Sequence, residues 1–321
     1  MRHVECQGVQ LSAIGLGCWQ FGSKEWGYGA GYADHEAGRI VERALELGIN
    51  LFDTAEVYGR GQSERILGRA LQGHRAEAFV ATKVLPILPL RARVVRAAEG
   101  SLRRLGIDKI DLYQIHWPNP VVPLGQQLGG MRELQQRGLV DHVGVSNYSL
   151  ARWRAAEAAL GAPVLTNQVP YSLADRRPEA ELVPWAAAND RIVMAYSPLA
   201  QGLLSARYDE TNAPGGVRRN NALFLPDNLR SARPLLDALR AIATAHGATP
   251  SQVALAWLVR RPNVVAIPGA SSVAQLEQNA AAADLDLSED EDAELTAASD
   301  AFRPVRGAAA VPKLVERRLR R

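Results

Sequence analysis

The chain predicts a single (β/α)8 barrel over residues 1–321, with parallel strands enclosed by an outer ring of helices, and three observations lead there. Short apolar, β-branched runs recur eight times. Amphipathic stretches of helical period separate them, and strands that are apolar throughout belong to parallel sheets covered by helices. No complete dinucleotide fingerprint of an open doubly wound sheet follows any strand: Gly15-x-Gly17 leads to Gln20 and Gly27-x-Gly29 to Tyr32, where a third glycine is required.

In chain order the strands are expected at Ala13–Gly17, Ile49–Thr54, Ala78–Val84, Ile110–His116, His142–Ser146, Pro163–Gln168, Ile192–Ser197 and Val264–Pro268. Helices are expected at Asp34–Leu47, where Ile40, Ala44 and Leu47 share a face, then at Ser63–Leu71, Ala92–Leu105, Leu124–Gln136 and Leu150–Leu160. Glu179–Ala188, Pro234–His246, Pro250–Arg260 and Val273–Ala283 complete the set. The longest irregular stretch, Ser205–Asn228, is rich in Gly, Pro, Asn and Arg and follows the seventh strand. Loops of that length are functional or mobile more often than plain connections.

Composition narrows the function classes. At 47% apolar residues the chain can bury a large core, and a net charge of +3 with interspersed signs gives no footprint for nucleic acid despite a pI of 9.0. The basic run Glu316–Arg321 reads as a solvated tail. Cys6 and Cys18 form neither a disulfide framework nor a metal spacing, which fits a reducing cytoplasm and no metal. No apolar run reaches the ~20 residues that span a bilayer, and 1–10 is too polar for a signal peptide. Only four of 37 basic residues are lysines (Lys24, Lys83, Lys109, Lys313), so a lysine at a strand end stands out.

The C-terminal strand ends of a barrel meet at one face, where active sites are built. The second strand ends at Asp53 with Tyr58 just beyond, the third at Lys83 and the fourth at His116. Ser146-Asn147, Gln168, Tyr196-Ser197 and Pro268-Gly269 end the fifth to eighth. Each has a structural reading by itself: Asp53 as a turn cap, Tyr58 a half-buried aromatic, Lys83 a snorkelling strand end, His116 a satisfied core histidine. Their convergence on three adjacent strands suggests chemistry. A phenol with a pKa near 10 is a poor acid at neutral pH. An adjacent ammonium lowers that pKa, and a carboxylate holds the ammonium charged. A histidine directs a carbonyl oxygen to the phenol. Such a set gives a proton to a carbonyl that receives hydride from a bound cofactor. A Schiff-base lyase, with Lys83 attacking a carbonyl, is open on the same residues.

Seven ordered motifs carry a family resemblance over nearly the whole chain. They are FDTAEVYGRGQSERILGRAL (Phe52–Leu71), ATKV (Ala81–Val84), DLYQIHWP (Asp111–Pro118), GVSNY (Gly144–Tyr148), NQVPYS (Asn167–Ser172), AYSPLAQGLL (Ala195–Leu204) and IPGASSVAQLEQN (Ile267–Asn279). The sequence resembles the aldo-keto reductases. That resemblance implies an NAD(P)H-dependent reductase of aldehydes or ketones, with Asp53, Tyr58, Lys83 and His116 as tetrad and Tyr58 the general acid. It implies nicotinamide stacked on Tyr196, its carboxamide meeting Ser146, Asn147 and Gln168, and Trp19 near the nicotinamide or substrate. It places the pyrophosphate under Ser197, Pro198, Leu199, Gln201, Gly202 and Leu203.

One departure concerns the adenosine 2′-phosphate. Where many relatives carry a lysine and an arginine, Gly269 and Gln275 stand here. The resemblance leaves Ser271, Ser272, Gln275, Gln278, Asn279 and the start of the Val273 helix, whose free N–H groups suit an anion. Arg207 and Arg218-Arg219 of the long loop are available to compensate, or are surface charge. NADPH is favoured over NADH, with a weaker clamp than a bidentate arginine gives. The aromatics Trp19, Phe21, Trp26, Tyr28 and Tyr32, with Trp117-Pro118-Asn119-Pro120 after His116, line a pocket for bulky carbonyls or pack the rim. The short segment after Leu295 suggests an open pocket. The family also includes regulatory subunits of channels with the same tetrad, so a cofactor-binding subunit with little turnover is the alternative. Partners beyond a small carbonyl substrate are not implied, and oligomeric state is not legible.

Overall fold

A computed structural model describes residues 1–23 and 34–319. The expected aromatics Trp26, Tyr28 and Tyr32 lie outside the described residues.

The chain opens with an antiparallel hairpin, β1 (His3–Cys6) and β2 (Val9–Ser12), around a left-handed Gln7-Gly8 turn. The sequence predicts no element here, because the alternation of exposed and buried residues is only four residues long per strand. The barrel strands follow: β3 (Leu16–Gly17), β4 (Leu51–Asp53), β5 (Phe79–Val84), β6 (Ile110–Ile115), β7 (Val140–Ser146), β8 (Thr166–Pro170), β9 (Ile192–Tyr196) and β10 (Val264–Ala266). All pair in parallel with their neighbours in chain order. The ring closes where Gly15 N donates to Ala266 O and Ala266 N to Ala13 O, both at 2.8 Å, and Gly17 N donates to Pro268 O at 3.0 Å. At this seam a Cβ on Gly17 would lie 2.7 Å from Ile267 O, which explains the glycine.

The helices are α1 (Asp34–Glu46), α2 (Gln62–Ala70), α3 (Arg91–Leu105), α4 (Leu124–Gln136), α5 (Leu150–Leu160), α6 (Leu182–Ala188), α7 (Pro226–Ala245), α8 (Pro250–Val259), α9 (Val273–Ala281), α10 (Glu289–Ala301) and α11 (Val311–Leu319). Capping chemistry sets several boundaries. Ser149 and Ser272 cap α5 and α9, and full capping boxes start α8 (Thr249, Gln252) and α10 (Ser288, Glu291). Left-handed Gly106 and Gly161 end α3 and α5.

Several boundaries depart from expectation, and for three the chemistry is plain. α7 begins at Pro226, where proline at the first position needs no hydrogen bond, and runs on through Pro234, the expected start. β8 starts at Thr166 rather than Pro163, whose missing N–H cannot join a ladder. β9 stops at Tyr196 because Ser197 turns left-handed, with φ of 49°. Helices α10 and α11 occupy much of the C-terminal segment for which the sequence suggests only shortness.

The barrel interior divides in two along its axis. At the N-terminal end Leu51, Ala81, Leu112, Leu165, Ile192, Met194, Val265 and Ile267 form an apolar cluster with Val4, Cys6, Val9 and Leu11 of the hairpin, which stoppers that end. Two residues further along β4, β5 and β6, on the same inward-facing side, stand Asp53, Lys83 and Gln114, and β8 adds Thr166 and Gln168, all buried. Among the described residues, the polar groups of this interior thus gather toward the end where the strands finish.

Candidate active site

Lys83, on β5, has no exposed surface, and its ammonium donates three hydrogen bonds: to Asp53 Oδ2 at 2.6 Å, to the Thr54 carbonyl at 2.7 Å and to the Tyr58 hydroxyl at 3.4 Å. Three donors and three acceptors match. The Asp53 carboxylate, equally buried, accepts at its other oxygen from Gln168 Nε2 at 2.8 Å and Gln114 Nε2 at 3.4 Å, and Thr166 Oγ1 donates to Gln114 Oε1 at 3.3 Å. The buried ion pair therefore sits inside a network that spans β4 to β8. Burial alone would lower the Lys83 pKa, but the Asp53 charge, with Tyr58 behind it, carries it above the ordinary lysine value.

Tyr58 is delivered by the turn after β4. Gly59, Arg60 and Gly61 all have positive φ (53°, 55° and 82°), and this left-handed run reverses the chain into α2. The phenol ring lies under Lys83, with Nζ 4.9 Å from its centroid. Its pKa is raised, against the expectation that the ammonium lowers it. Burial of the phenol is the larger effect and outweighs the Lys83 charge, while Asp53 adds to the rise. Tyr58 is thus a neutral O–H donor rather than a phenolate at physiological pH.

His116 follows β6 directly. Its ring meets Tyr58 edge-on at 5.5 Å and packs on Trp117 at 4.5 Å. Burial, followed by the Lys83 charge, lowers its pKa to about 3, so the imidazole is neutral. Its Nδ1 is buried with no hydrogen-bond partner among the described residues. A neutral ring carries one N–H and one lone pair, and thus suits a neutral polar ligand atom better than a carboxylate.

The depressed pKa has a consequence for stability. An unfolded histidine takes up a proton near pH 6.5, whereas folded His116 resists until about pH 3. The stability it contributes is present in full above the unfolded value and is lost as pH falls from about 6.5 toward about 3. A His116→Gln variant is therefore expected to lose less of its melting temperature than wild type between about pH 7.5 and about pH 4.5; equal losses in the two proteins would refute this.

A second group of side chains lies across the mouth. Ser146 Oγ donates to the Gln168 carbonyl at 2.8 Å, Asn147 Nδ2 to Ser146 Oγ at 3.0 Å and to the His116 carbonyl at 3.3 Å, and Tyr196 OH to Asn147 Oδ1 at 2.9 Å. Asn147 holds φ of 62°, which asparagine tolerates. Beyond Tyr196 the backbone is left-handed at Ser197, Ala200, Gln201, Gly202 and Ala206. Each non-glycine residue there costs about 1 kcal/mol or more, a pattern that gathers at ligand sites. Arg218 Nε and Asn221 Nδ2 hold Gln201 in place. Leu203 is packed in the main core and Pro198 is buried, so only their backbone is available to a ligand. Arg207 is exposed.

At the barrel seam Gln20 Nε2 donates to the Ala270 carbonyl, and its amide lies so near Gly269 that a Cβ there would meet it at 2.4 Å. Gln275 folds back on the start of α9, its Oε1 accepting from Ser271 N and Oγ, while Ser272 Oγ caps Gln275 N. Asn279 is buried against the Gly269 carbonyl, and Gln278 is exposed. Trp19 is 44% exposed, with its ring 6.2 Å from that of Tyr58.

The strand ends that the sequence nominates meet in the structure, whereas the sequence reading missed Gln114, Thr166 and the Thr54 carbonyl. A glutamine in the middle of the apolar run Ile110–Ile115 was the available signal for the first. These surroundings fit a nicotinamide dinucleotide: an amide and hydroxyl cluster of a carboxamide's own chemistry, an aromatic ring beside it, and a loop with a run of left-handed residues beyond that ring.

The chain matches the Aldo/keto reductase family over residues 13–300. It is 57% identical over 306 residues to an uncharacterized oxidoreductase of Mycobacterium tuberculosis, with 95% of each chain covered. It is 34% identical over 304 residues to the methylglyoxal reductase of Escherichia coli, covering 94% and 95%. Among solved structures it resembles an aldo/keto reductase of Klebsiella pneumoniae in complex with NADP and acetate, with a TM-score of 0.76, 32% identity and coverage of 96% and 98%.

Proposed function

Since the chain belongs to the aldo/keto reductase family, we propose that it is an NADPH-dependent reductase of aldehydes or ketones in which Tyr58 is the general acid. The observation that carries this is the Lys83 ammonium, which joins the Asp53 carboxylate and the Tyr58 hydroxyl in one buried, fully matched set beside a neutral His116.

NADPH, when bound, supplies the hydride to the carbonyl carbon. The chain's residues do the rest. His116 offers its imidazole N–H to the carbonyl oxygen and turns it toward Tyr58. As charge develops on that oxygen, the Tyr58 O–H transfers its proton to it and the alcohol forms. The phenolate left behind is stabilised by the Lys83 ammonium and regains a proton from solvent. Asp53 keeps Lys83 charged and fixed, and the two glutamines keep Asp53 fixed. Ser146, Asn147 and Gln168 would hold the carboxamide, Tyr196 the ring face, residues 197–203 the pyrophosphate, and 269–279 the adenosine end. The medium of this reaction is the cytoplasm, where Cys6 and Cys18, both free and buried, stay reduced.

The test is NADPH oxidation with an activated aromatic aldehyde, with NADH in parallel and cofactor binding followed by fluorescence. Turnover with NADPH above NADH supports the reading. Binding without turnover on a broad carbonyl panel would favour a cofactor-sensing subunit, and no binding of either nucleotide would sink the proposal. The adenosine end gives its own expectation. Gln275→Arg supplies a charged, bidentate partner for a 2′-phosphate and should tighten NADPH binding about tenfold while leaving NADH nearly unchanged. An equal effect on both nucleotides would refute the assignment.

A further inference from the structure

Among the described residues, the rim beside Tyr58 and His116 displays exposed apolar side chains. Ile87 and Leu88, in the loop after β5, are 65% and 63% exposed, and Val121, after β6, is 77% exposed. Val57, adjoining Tyr58, and Trp117, packed on His116, are exposed as well. Residues of this kind are ordinarily buried, and isolated ones need no explanation. These five sit on three consecutive loops that are bonded to one another.

Leu85 N donates to Glu56 Oε1 at 2.7 Å, which ties the β5 loop to the Tyr58 loop. Asn119 Nδ2 donates to the Pro86 carbonyl at 2.9 Å, and Asn119 Oδ1 accepts from Val121 N and Val122 N at 2.9 and 2.8 Å, which ties in the β6 loop. Just past these ties the backbone is strained. Ile87 N bonds back to Leu85 O, Leu90 N bonds back to Leu88 O, and Leu88 is left-handed with φ of 45°. Leucine is among the residues least suited to that conformation. The start of the loop is thus pinned to both neighbouring loops, and the strained turn that follows carries two exposed aliphatic side chains.

We propose that this surface is a shelf for the hydrocarbon chain of the substrate, so that the preferred substrates are carbonyls with an extended apolar tail, and that Ile87 and Leu88 determine this preference. The occupant is argued from continuity: Val57 and Trp117 adjoin the two residues that would hold the carbonyl, and the loop of Ile87 and Leu88 is bonded to the loops of both. The inference rests on the reductase reading for its reaction but not for its binding energy.

The test compares straight-chain aldehydes from propanal to octanal in wild type and in the double variant Ile87→Thr, Leu88→Asn. Threonine keeps the β-branch, and asparagine relaxes the left-handed position, so the loop is retained while its apolar surface is removed. Burying a methylene fully is worth about fourfold, and a one-sided shelf about twofold. Wild-type kcat/KM should then rise about thirtyfold from propanal to octanal, mainly through KM. The double variant should keep its propanal value and lose most of the rise. A flat wild-type series, or an unchanged slope in the variant, overturns the shelf.

If neither aldehyde turns over, the reductase reading fails separately, and calorimetric binding of 1-octanol against 1-propanol decides the shelf. Octanol binding that the double variant loses supports it, and absence of octanol binding overturns it. A wild-type dimer in sedimentation that the double variant splits also overturns it, because the surface then belongs to a second copy of the chain.

Discussion

Tyr58→Phe should lower kcat for NADPH-dependent aldehyde reduction by about 10²–10⁴-fold, the range that one positioned proton donor contributes, while cofactor affinity stays near wild type. The substitution removes one oxygen. Lys83 keeps its bonds to Asp53 and the Thr54 carbonyl and loses only the longest of its three, at 3.4 Å. The ring stays beneath the ammonium and edge-on to His116. Stability should therefore change little, and the loss should appear in kcat far more than in KM, since the proton moves only as the carbonyl is reduced. Retention of more than about a tenth of wild-type kcat would assign the proton to another group.

Lys83→Met is expected to combine a comparable loss of activity with a loss of stability. It leaves the Asp53 carboxylate, 3% exposed, without its cation, and breaking one side of a buried ion pair costs about 3–5 kcal/mol. Melting temperature should fall by several degrees. The phenol meanwhile loses the one charge that opposes its raised pKa. The double variant Asp53→Asn, Lys83→Met separates the two effects. The neutral amide it places beside Gln168 and Gln114 can still accept a hydrogen bond from them, so most of the stability should return, whereas activity should not. Recovery of turnover in the double variant would show that the ion pair is scaffolding and no part of the reaction.

The barrel and the strand-end side chains were legible because both follow from short-range pattern. An apolar run ending in Asp53, Lys83 or His116 states its own direction, and the parallel alternation brings those ends to one face. The hairpin at residues 3–12 was not legible, because four-residue strands alternate too briefly to separate from a polar terminus. Gln114 and Thr166 escaped notice because their importance comes from what lies across the barrel, with Gln114 and Asp53 61 residues apart in the chain. The direction of the Tyr58 pKa was misjudged for a related reason. Sequence places a cation next to a phenol but does not give the depth at which both are buried, and burial was the larger effect. Ile87 and Leu88 went unremarked because their sequence shows neither their exposure nor the strain and the ties of their loop.

The barrel seam bears on how the chain is made. The strands that meet there, β3 and β10, are only two and three residues long, and the bridge beside them joins Ile14 to Ala266 across most of the polypeptide. During synthesis the first of these edges must wait unpaired until the last strand leaves the ribosome. A long apolar edge held open for that time would recruit the edges of neighbouring nascent chains. A two-residue strand offers such a chain almost no ladder to join. The brevity that makes the seam the thinnest part of the finished wall thereby protects the growing one from aggregation, and lengthening either strand should lower the soluble yield before it changes the activity of the molecules that do fold.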